Sequence, residues 1–241
     1  MSSASVGDGI IGANANWSFG QGIARHFDDH VSKSVPLYDR GHDLIVALSD
    51  FFVSPGSVVY EIGCSTGTLT LKLGAHNGAK DGARFIGIDV EPEMIERANE
   101  KKEQSGAKNV DFLVEDAISF EFEPADMIVA YYVVQFVRPS QRQRLIDRLY
   151  RSLNWGGALV MFEKVRGPDA RFQDIATALY NDYKLARGYA PEEIIAKARS
   201  LKGVLEPFST QGNIDMLRRA GFEDVMSIMK YICFEGFLAI K

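Results

Sequence analysis

Cysteine is scarce in this chain: its 241 residues include 2, Cys64 and Cys233. Two thiols cannot build a disulfide framework, which excludes a stapled secreted scaffold and leads us to expect a reducing compartment. Positive charge is not in excess either. Lys+Arg 27 against Asp+Glu 32 leaves a net charge of -5, so the overall basic footprint of a nucleic-acid binder is missing and direct nucleic-acid binding is not expected. No apolar run reaches bilayer-spanning length. Residues 1–12 have neither a basic start nor an apolar stretch of signal-peptide type, and a cytoplasmic protein with no membrane partner is expected. What remains is ordinary for a globular domain: 46% hydrophobic and 24% charged residues.

Residues 1–15, rich in Ser, Gly and Ala, read as a flexible N-terminus. Residues 16–241 read as a single domain, with 16–54 a helical extension and 168–210 a helical cap. In the extension, Ile23, Phe27 and Val31 recur at helical spacing over 21–31 until Pro36 interrupts them. Leu44, Ile45, Leu48 and Phe52 mark a second helix over 39–52. Strands are then predicted over 57–62, 84–88, 110–114, 125–130 and 158–162, alternating with helices over 66–75, 91–104 and 140–153. Asn154-Trp155-Gly156-Gly157 reads as a turn. Such alternation implies a doubly wound, mostly parallel sheet. Two helices over 169–186 and 191–201, with no strand between them, form the cap. A helix over 212–220 and strands over 223–230 and 234–241 complete a seven-stranded, Rossmann-like α/β fold.

The sharpest local signal is Glu61-Ile62-Gly63-Cys64-Ser65-Thr66-Gly67, at the join of the first strand and its helix. Glycines there allow a tight turn and a close backbone approach to a ligand. Ser65 stands where a dinucleotide fingerprint has its middle glycine, and the Gly-Lys-Ser/Thr of a phosphate loop is absent. Glu61 would repel phosphate but suits a cationic or zwitterionic ligand. Asp89 ends the second strand, 22 residues after Gly67, where a carboxylate accepts both hydroxyls of a ribose. Asp116 follows the third strand and is placed to accept from an adenine amine. The three signals together describe an adenosine site without phosphate recognition, which S-adenosylmethionine fits.

These residues resemble the class I S-adenosylmethionine-dependent methyltransferases. More narrowly, the chain resembles the carboxy-S-adenosylmethionine synthase family from about residue 17 to its end. The likeness rests on Asn16-Trp17-Ser18-Phe19, Ser34-Val35-Pro36-Leu37-Tyr38, Gly63-Cys64-Ser65, Pro92-Glu93-Met94-Ile95-Glu96-Arg97, Gln135-Phe136, Glu163-Lys164, Gly188-Tyr189 and Ala198-Arg199-Ser200. The resemblance implies that Tyr38, Gly63 to Ser65, Asp89, Val90, Asp116 and Ala117 line the pocket for S-adenosylmethionine or its carboxylated derivative. It also implies a homodimer in which Arg199 reaches across from a neighbouring subunit to hold the extra carboxylate. Arg suits planar, bidentate carboxylate recognition. The chain departs from the family at the tip of the fourth strand, where Tyr131 replaces a ligand-binding Asn. A sulfonium over an aromatic face gains about 0.5–2 kcal/mol. Tyr132, pointing the other way along the strand, is expected to pack in the core.

Four activities share these residues. One is carboxy-S-adenosylmethionine synthesis with prephenate as carboxyl donor, as the resemblance implies. Others are methyl transfer to a small acceptor, with Tyr38 or Tyr131 orienting it or acting as a weak base, and closure of the methionine chain to an azetidine ring with loss of methylthioadenosine. The last is binding without turnover. Three further features read as structural. His26 and His30, four apart, lack a zincin glutamate between them and read as helix surface, so no metal is expected. Cys64 has no neighbouring His or Lys in sequence and reads as a small buried residue. Arg142, Arg144, Arg148 and Arg151, with Asp147, read as a solvated face or a subunit contact.

Overall fold

The computed structural model describes residues 4–5, 11–12 and 22–241. Asn16, Trp17, Ser18 and Phe19 lie outside the described residues. A seven-stranded sheet forms the centre. Its strands are β1 (Val58–Ile62), β2 (Arg84–Asp89), β3 (Val110–Val114), β4 (Ala125–Tyr131), β5 (Leu153–Lys164), β6 (Asp224–Tyr231) and β7 (Phe234–Ile240). Their order across the sheet is β3-β2-β1-β4-β5-β7-β6. β7 runs antiparallel to both neighbours; the remaining pairs are parallel. The chain winds outward from β1 to β3 and then returns to place β4 beside β1. That reversal opens a crevice at the carboxyl ends of the two strands, where doubly wound sheets bind ligands.

All five residues of β1 are buried, which explains its unbroken apolar run. Val59, Phe85, Val129 and Val160 pack on one face, with Ile45, Leu69 and Leu73 from α2 (Tyr38–Leu48) and α3 (Thr68–His76). Tyr60, Ile86, Ile128 and Leu159 pack on the other, with Leu145, Leu149 and Leu217 from α5 (Pro139–Ser152) and α8 (Thr210–Ala220). α4 (Pro92–Ser105) follows β2, with proline in its first turn.

The extension folds as a short 3₁₀ turn, Ile23–Arg25, followed by α1 (Phe27–Ser34). The cap is α6 (Ala170–Ala186) and α7 (Pro191–Ser200). Asp169 caps α6 by accepting from the Phe172 N–H at 3.1 Å. Tyr180 of α6 donates its hydroxyl to the Ser34 carbonyl at 2.8 Å, tying the cap to the end of α1. Ala4–Ser5 pairs with Ile11–Gly12 in a two-residue antiparallel ladder, and Ser5 Oγ donates to Glu193 of α7 at 2.8 Å.

Two expectations change here. Asn154-Trp155-Gly156-Gly157 lies inside β5 rather than forming a turn. The pairing of β4 with β5 shifts between Ala125 and Met127, and the C-terminus takes up the displaced groups. The Gly156 N–H donates to the Lys241 carbonyl at 2.8 Å, and the Lys241 N–H to the Gly157 carbonyl at 3.0 Å. The second change is Arg142, which is buried rather than solvated. Its guanidinium donates to the carbonyls of Val137 (2.8 Å), Glu206 (2.6 Å) and Gln135 (2.9 Å), joining the turn after β4 to the segment that follows α7. Arg148 also turns inward, donating to the Phe120 carbonyl.

Arg142→Leu would leave the Val137 and Glu206 carbonyls without that donor, while the Gln135 carbonyl still accepts from the Glu206 N–H at 3.1 Å. Each unsatisfied buried group costs about 1–3 kcal/mol. In a domain of this size the expected fall in Tm is roughly 6–12 °C for 3 kcal/mol. Scanning calorimetry checks this, and a shift of less than about 2 °C would show the guanidinium to be dispensable.

Candidate active site

A cavity of about 580 Å³ opens at the carboxyl ends of β1, β2, β4 and β5, roofed by α1 and by the cap helices. This is within the size of small-ligand sites, roughly 300–1,000 Å³. One end is acidic and is lined by Glu61, Asp89 and Asp116. Away from β1 and β2 the cavity is cationic, where Lys164 at the end of β5 and Lys184 of α6 share the ring of Tyr180; Lys197 lines it beside His30. A line of rings joins the two ends. Tyr38 stacks with Tyr132 at 6.3 Å, Tyr132 meets Phe234 at 5.8 Å, and Phe234 meets Tyr180 at 5.1 Å.

The glycine loop builds the acidic end. Gly63 has φ 63°, and a Cβ there would stand 1.8 Å from Val133 Cγ2, so only glycine fits. Ser65 is also left-handed, at φ 49°. It is held there by its N–H donating to Asp89 Oδ2 at 2.9 Å, while Asp89 Oδ1 accepts from the Glu91 N–H at 3.0 Å. A carboxylate offers about four acceptor sites, so two backbone bonds fix Asp89 and leave capacity for a diol. Asp116 is exposed at the rim and accepts from the Ile118 N–H at 2.9 Å. Val90 and Ala117 line the wall beside these acids. Glu61 is buried and accepts from the Thr70 hydroxyl. Burial pushes its carboxyl up to about 8, so the acid is held in its protonated form. Cys64 lines the cavity with its thiol pushed well up by burial, an inert group as expected.

Tyr131 closes β4 and faces the cavity. Its hydroxyl donates to the Tyr38 carbonyl at 2.6 Å, and its ring lies 5.0 Å from Tyr38 and 4.8 Å from His42. Burial raises the phenols of both Tyr131 and Tyr38. Each phenol is therefore held in its protonated form, and the two rings form part of the cavity wall. Gly41 makes room for this arrangement, because a Cβ there would meet the Tyr131 hydroxyl at 2.1 Å.

Several residues sit elsewhere than the sequence suggested. Tyr132 packs in the core as expected, but in the same cluster as Tyr131 rather than on the opposite face. Its backbone turns left-handed at φ 61°, the strand ends, and its ring joins Tyr131 on the cavity wall. His30 is buried against the cavity, with Nε2 2.6 Å from Lys197 Nζ. His26 is exposed ahead of α1, so the two do not share a helix surface. Gly67 lies behind the loop, where a Cβ would strike Phe112 and Ala98; its glycine serves packing. Arg199 is exposed on α7 and does not line the cavity. Sequence reasoning missed Tyr180 and the three lysines. The signal for Tyr180 and Lys184 was the helical stripe Gln173, Thr177, Tyr180 and Lys184, and for Lys164 the motif Glu163-Lys164, with nothing to say where either faced.

A methyltransferase-domain model matches residues 59–157. The carboxy-S-adenosyl-L-methionine synthase of Staphylococcus epidermidis is 37% identical over 226 residues, covering 93% of this chain and 97% of that protein. The chain belongs to the carboxy-S-adenosyl-L-methionine synthase family. The family's enzyme from Campylobacter lari is 36% identical over 225 residues, covering 93% and 94%. Among solved structures, a SAM-dependent methyltransferase from Aquifex aeolicus aligns with TM-score 0.61 at 19% identity, over 92% of this chain and 99% of that one. Human N-acetylserotonin methyltransferase in complex with SAM aligns with TM-score 0.58 at 18% identity, over 91% and 57%. These likenesses show that this family member has the class I methyltransferase fold. No helix among its described residues is long and apolar enough to cross a membrane.

Folded Glu61 keeps its proton up to about pH 8, whereas the ordinary value is 4.5. The folded state therefore binds more protons across that window and loses stability as pH rises through it. Glu61→Gln removes this share of the slope, while Glu163, raised to about 8 in the same way, keeps its own. The Tm of Glu61→Gln minus that of the wild type should grow from pH 5 to pH 8.5. A difference that stays flat would place the Glu61 proton elsewhere.

Proposed function

We propose that this protein binds S-adenosylmethionine at the acidic end of the cavity and acts at its sulfonium with a small second substrate, forming the carboxylated nucleoside for which its relatives are named. The observation that carries this reading is the extent of the relationship. The methyltransferase model matches only 59–157, but the likeness to the synthases covers 93% of the chain and so includes cap residues outside a generic methyltransferase core.

The residues present fit the nucleoside. Asp89 retains two acceptor sites for the ribose hydroxyls, and Asp116 accepts at the rim, where the adenine amine is expected. The backbone of Gly63, Cys64 and Ser65 approaches the methionine portion. Glu61, buried beside them, becomes an anion when an ammonium enters and takes the place of its proton. When bound, the nucleoside supplies a methyl carbon made electrophilic and acidic by the sulfonium. The faces of Tyr38, Tyr131 and Tyr132 stabilise that positive charge and exclude water around it. The Tyr131 hydroxyl stays committed to the Tyr38 carbonyl, so the rings hold position without exchanging a proton.

The reading extends to a homodimer and to the cytoplasm. The cap exposes Phe172, Ile175 and Leu179 along α6 and Ile195 on α7, an apolar stripe that suits association. It carries the exposed Arg199 toward a neighbouring molecule rather than into its own cavity. Two buried, unpaired cysteines suit a reducing compartment.

Mass spectrometry of reactions with S-adenosylmethionine, with and without prephenate, tests the activity. The carboxylated nucleoside is expected only with prephenate. Methylthioadenosine formed without any acceptor, or S-adenosylhomocysteine formed only with another acceptor, would replace this reading with ring closure or methyl transfer. Asp89→Ala should weaken S-adenosylmethionine binding about 10- to 100-fold by calorimetry, the equivalent of about 1.5–3 kcal/mol.

A further inference from the structure

The cationic end of the cavity is unaccounted for by the nucleoside. Lys164 closes β5 and Lys184 lies on α6, and both ammonium groups stand over the ring of Tyr180, 4.5 and 4.4 Å from its centroid. Lys184 is only 6% exposed. Among the described residues, neither ammonium has a carboxylate or a hydrogen-bond partner. Buried cations without an anion are costly, and two that share one ring also repel each other. The lysines register that cost: burial first, and then the Lys164 charge, hold Lys184 down at about 8, and burial lowers Lys164 as well. One aromatic face offsets only part of such a penalty.

The surroundings narrow what would complete the charge. The acids of the cavity lie at its other end, beyond Tyr132 and Phe234. Next to the lysines the wall is aromatic, with Tyr180 and Phe234 5.1 Å apart, and Asn181 follows Tyr180 on the cavity-lining side of α6. Point-charge ammoniums beside flat rings suit an anionic head on a planar, apolar body. A bare inorganic anion would leave the rings unused.

We propose that Lys164 and Lys184 form an anion subsite that binds a carboxylate of the second substrate, with Tyr180 and Phe234 packing on its unsaturated or aromatic body. The assignment to the second substrate rests on the function proposed above; the anion site itself does not. It places carboxylate recognition within this chain's own cavity, separate from the exposed Arg199. Bound there, the second substrate lies at the far end of the line of rings from Glu61 and Asp89, and so faces the nucleoside across the cavity.

Calorimetry with hydrocinnamate, its uncharged amide and inorganic phosphate, each titrated with and without S-adenosylmethionine, tests the proposal. The acid should bind at least tenfold more tightly than the amide or phosphate. Lys164→Met and Lys184→Met should each weaken it about tenfold or more, Lys184→Arg should restore most of the loss, and S-adenosylmethionine affinity should stay within about twofold. Equal affinity for acid and amide, no uptake of the acid, or undiminished uptake by both Met variants would overturn the subsite. If the variants also lose S-adenosylmethionine, the acid-to-amide ratio of the wild type decides. Lysine-dependent acid binding in a protein that takes up no S-adenosylmethionine would leave the subsite standing and remove the proposed function.

Discussion

One hydrogen bond holds the site together: the Tyr131 hydroxyl donates to the Tyr38 carbonyl at 2.6 Å. Tyr131 sits at the tip of β4, beside the switch point of the sheet, and Tyr38 begins α2. The bond therefore fastens the N-terminal helices to the edge where the crevice opens. It depends on Gly41, since any larger residue would occupy the position of the hydroxyl. With that tie, α1 and the cap enclose a cavity, and the Ser34 carbonyl at the end of α1 receives the Tyr180 hydroxyl from the other side.

Enclosure sets the electrostatics. In a low-dielectric cavity, unpaired charges are expensive and paired ones strong. Glu61 answers by holding its proton to about pH 8, and Lys184 by being lowered to about 8. An acid driven up and a base driven down thus line one cavity. The intervening rings of Tyr38, Tyr132 and Phe234 form an aromatic wall between them. Family membership and the chemistry of the site thus point the same way from independent observations.

Much of the frame was legible in the sequence. Alternating apolar runs and helical periods located the seven strands of the central sheet and the helices around it, because burial on both faces of a parallel sheet leaves a strong local pattern, although α1 begins at Phe27 rather than 21 and β5 at Leu153 rather than 158. The loop from Gly63 to Ser65 and the acid at Asp89 were legible because a strand-to-helix turn against a ligand has strict backbone demands. The lysine end was not. Lys164, Lys184 and Lys197 are 20 and 13 residues apart in sequence, on a strand and two helices, and each alone looks like a solvated charge. Arg142 was misread for the same reason: its three carbonyl partners come from the turn after β4 and the segment that follows α7, whose positions no local pattern encodes.

By itself, then, the sequence determined the class of fold, the place of the switch point and the acidic half of the pocket, since each follows from periodicity or from a local backbone requirement. Only the tertiary structure decided which way Tyr132 faces, that His30 is buried, that Gly67 serves packing and that two lysines share one ring. Tyr132 shows the reason. Alternation along a strand predicts a side chain's direction only while the strand continues, and the left-handed turn that ends β4 at that residue is imposed by packing between segments distant in the chain.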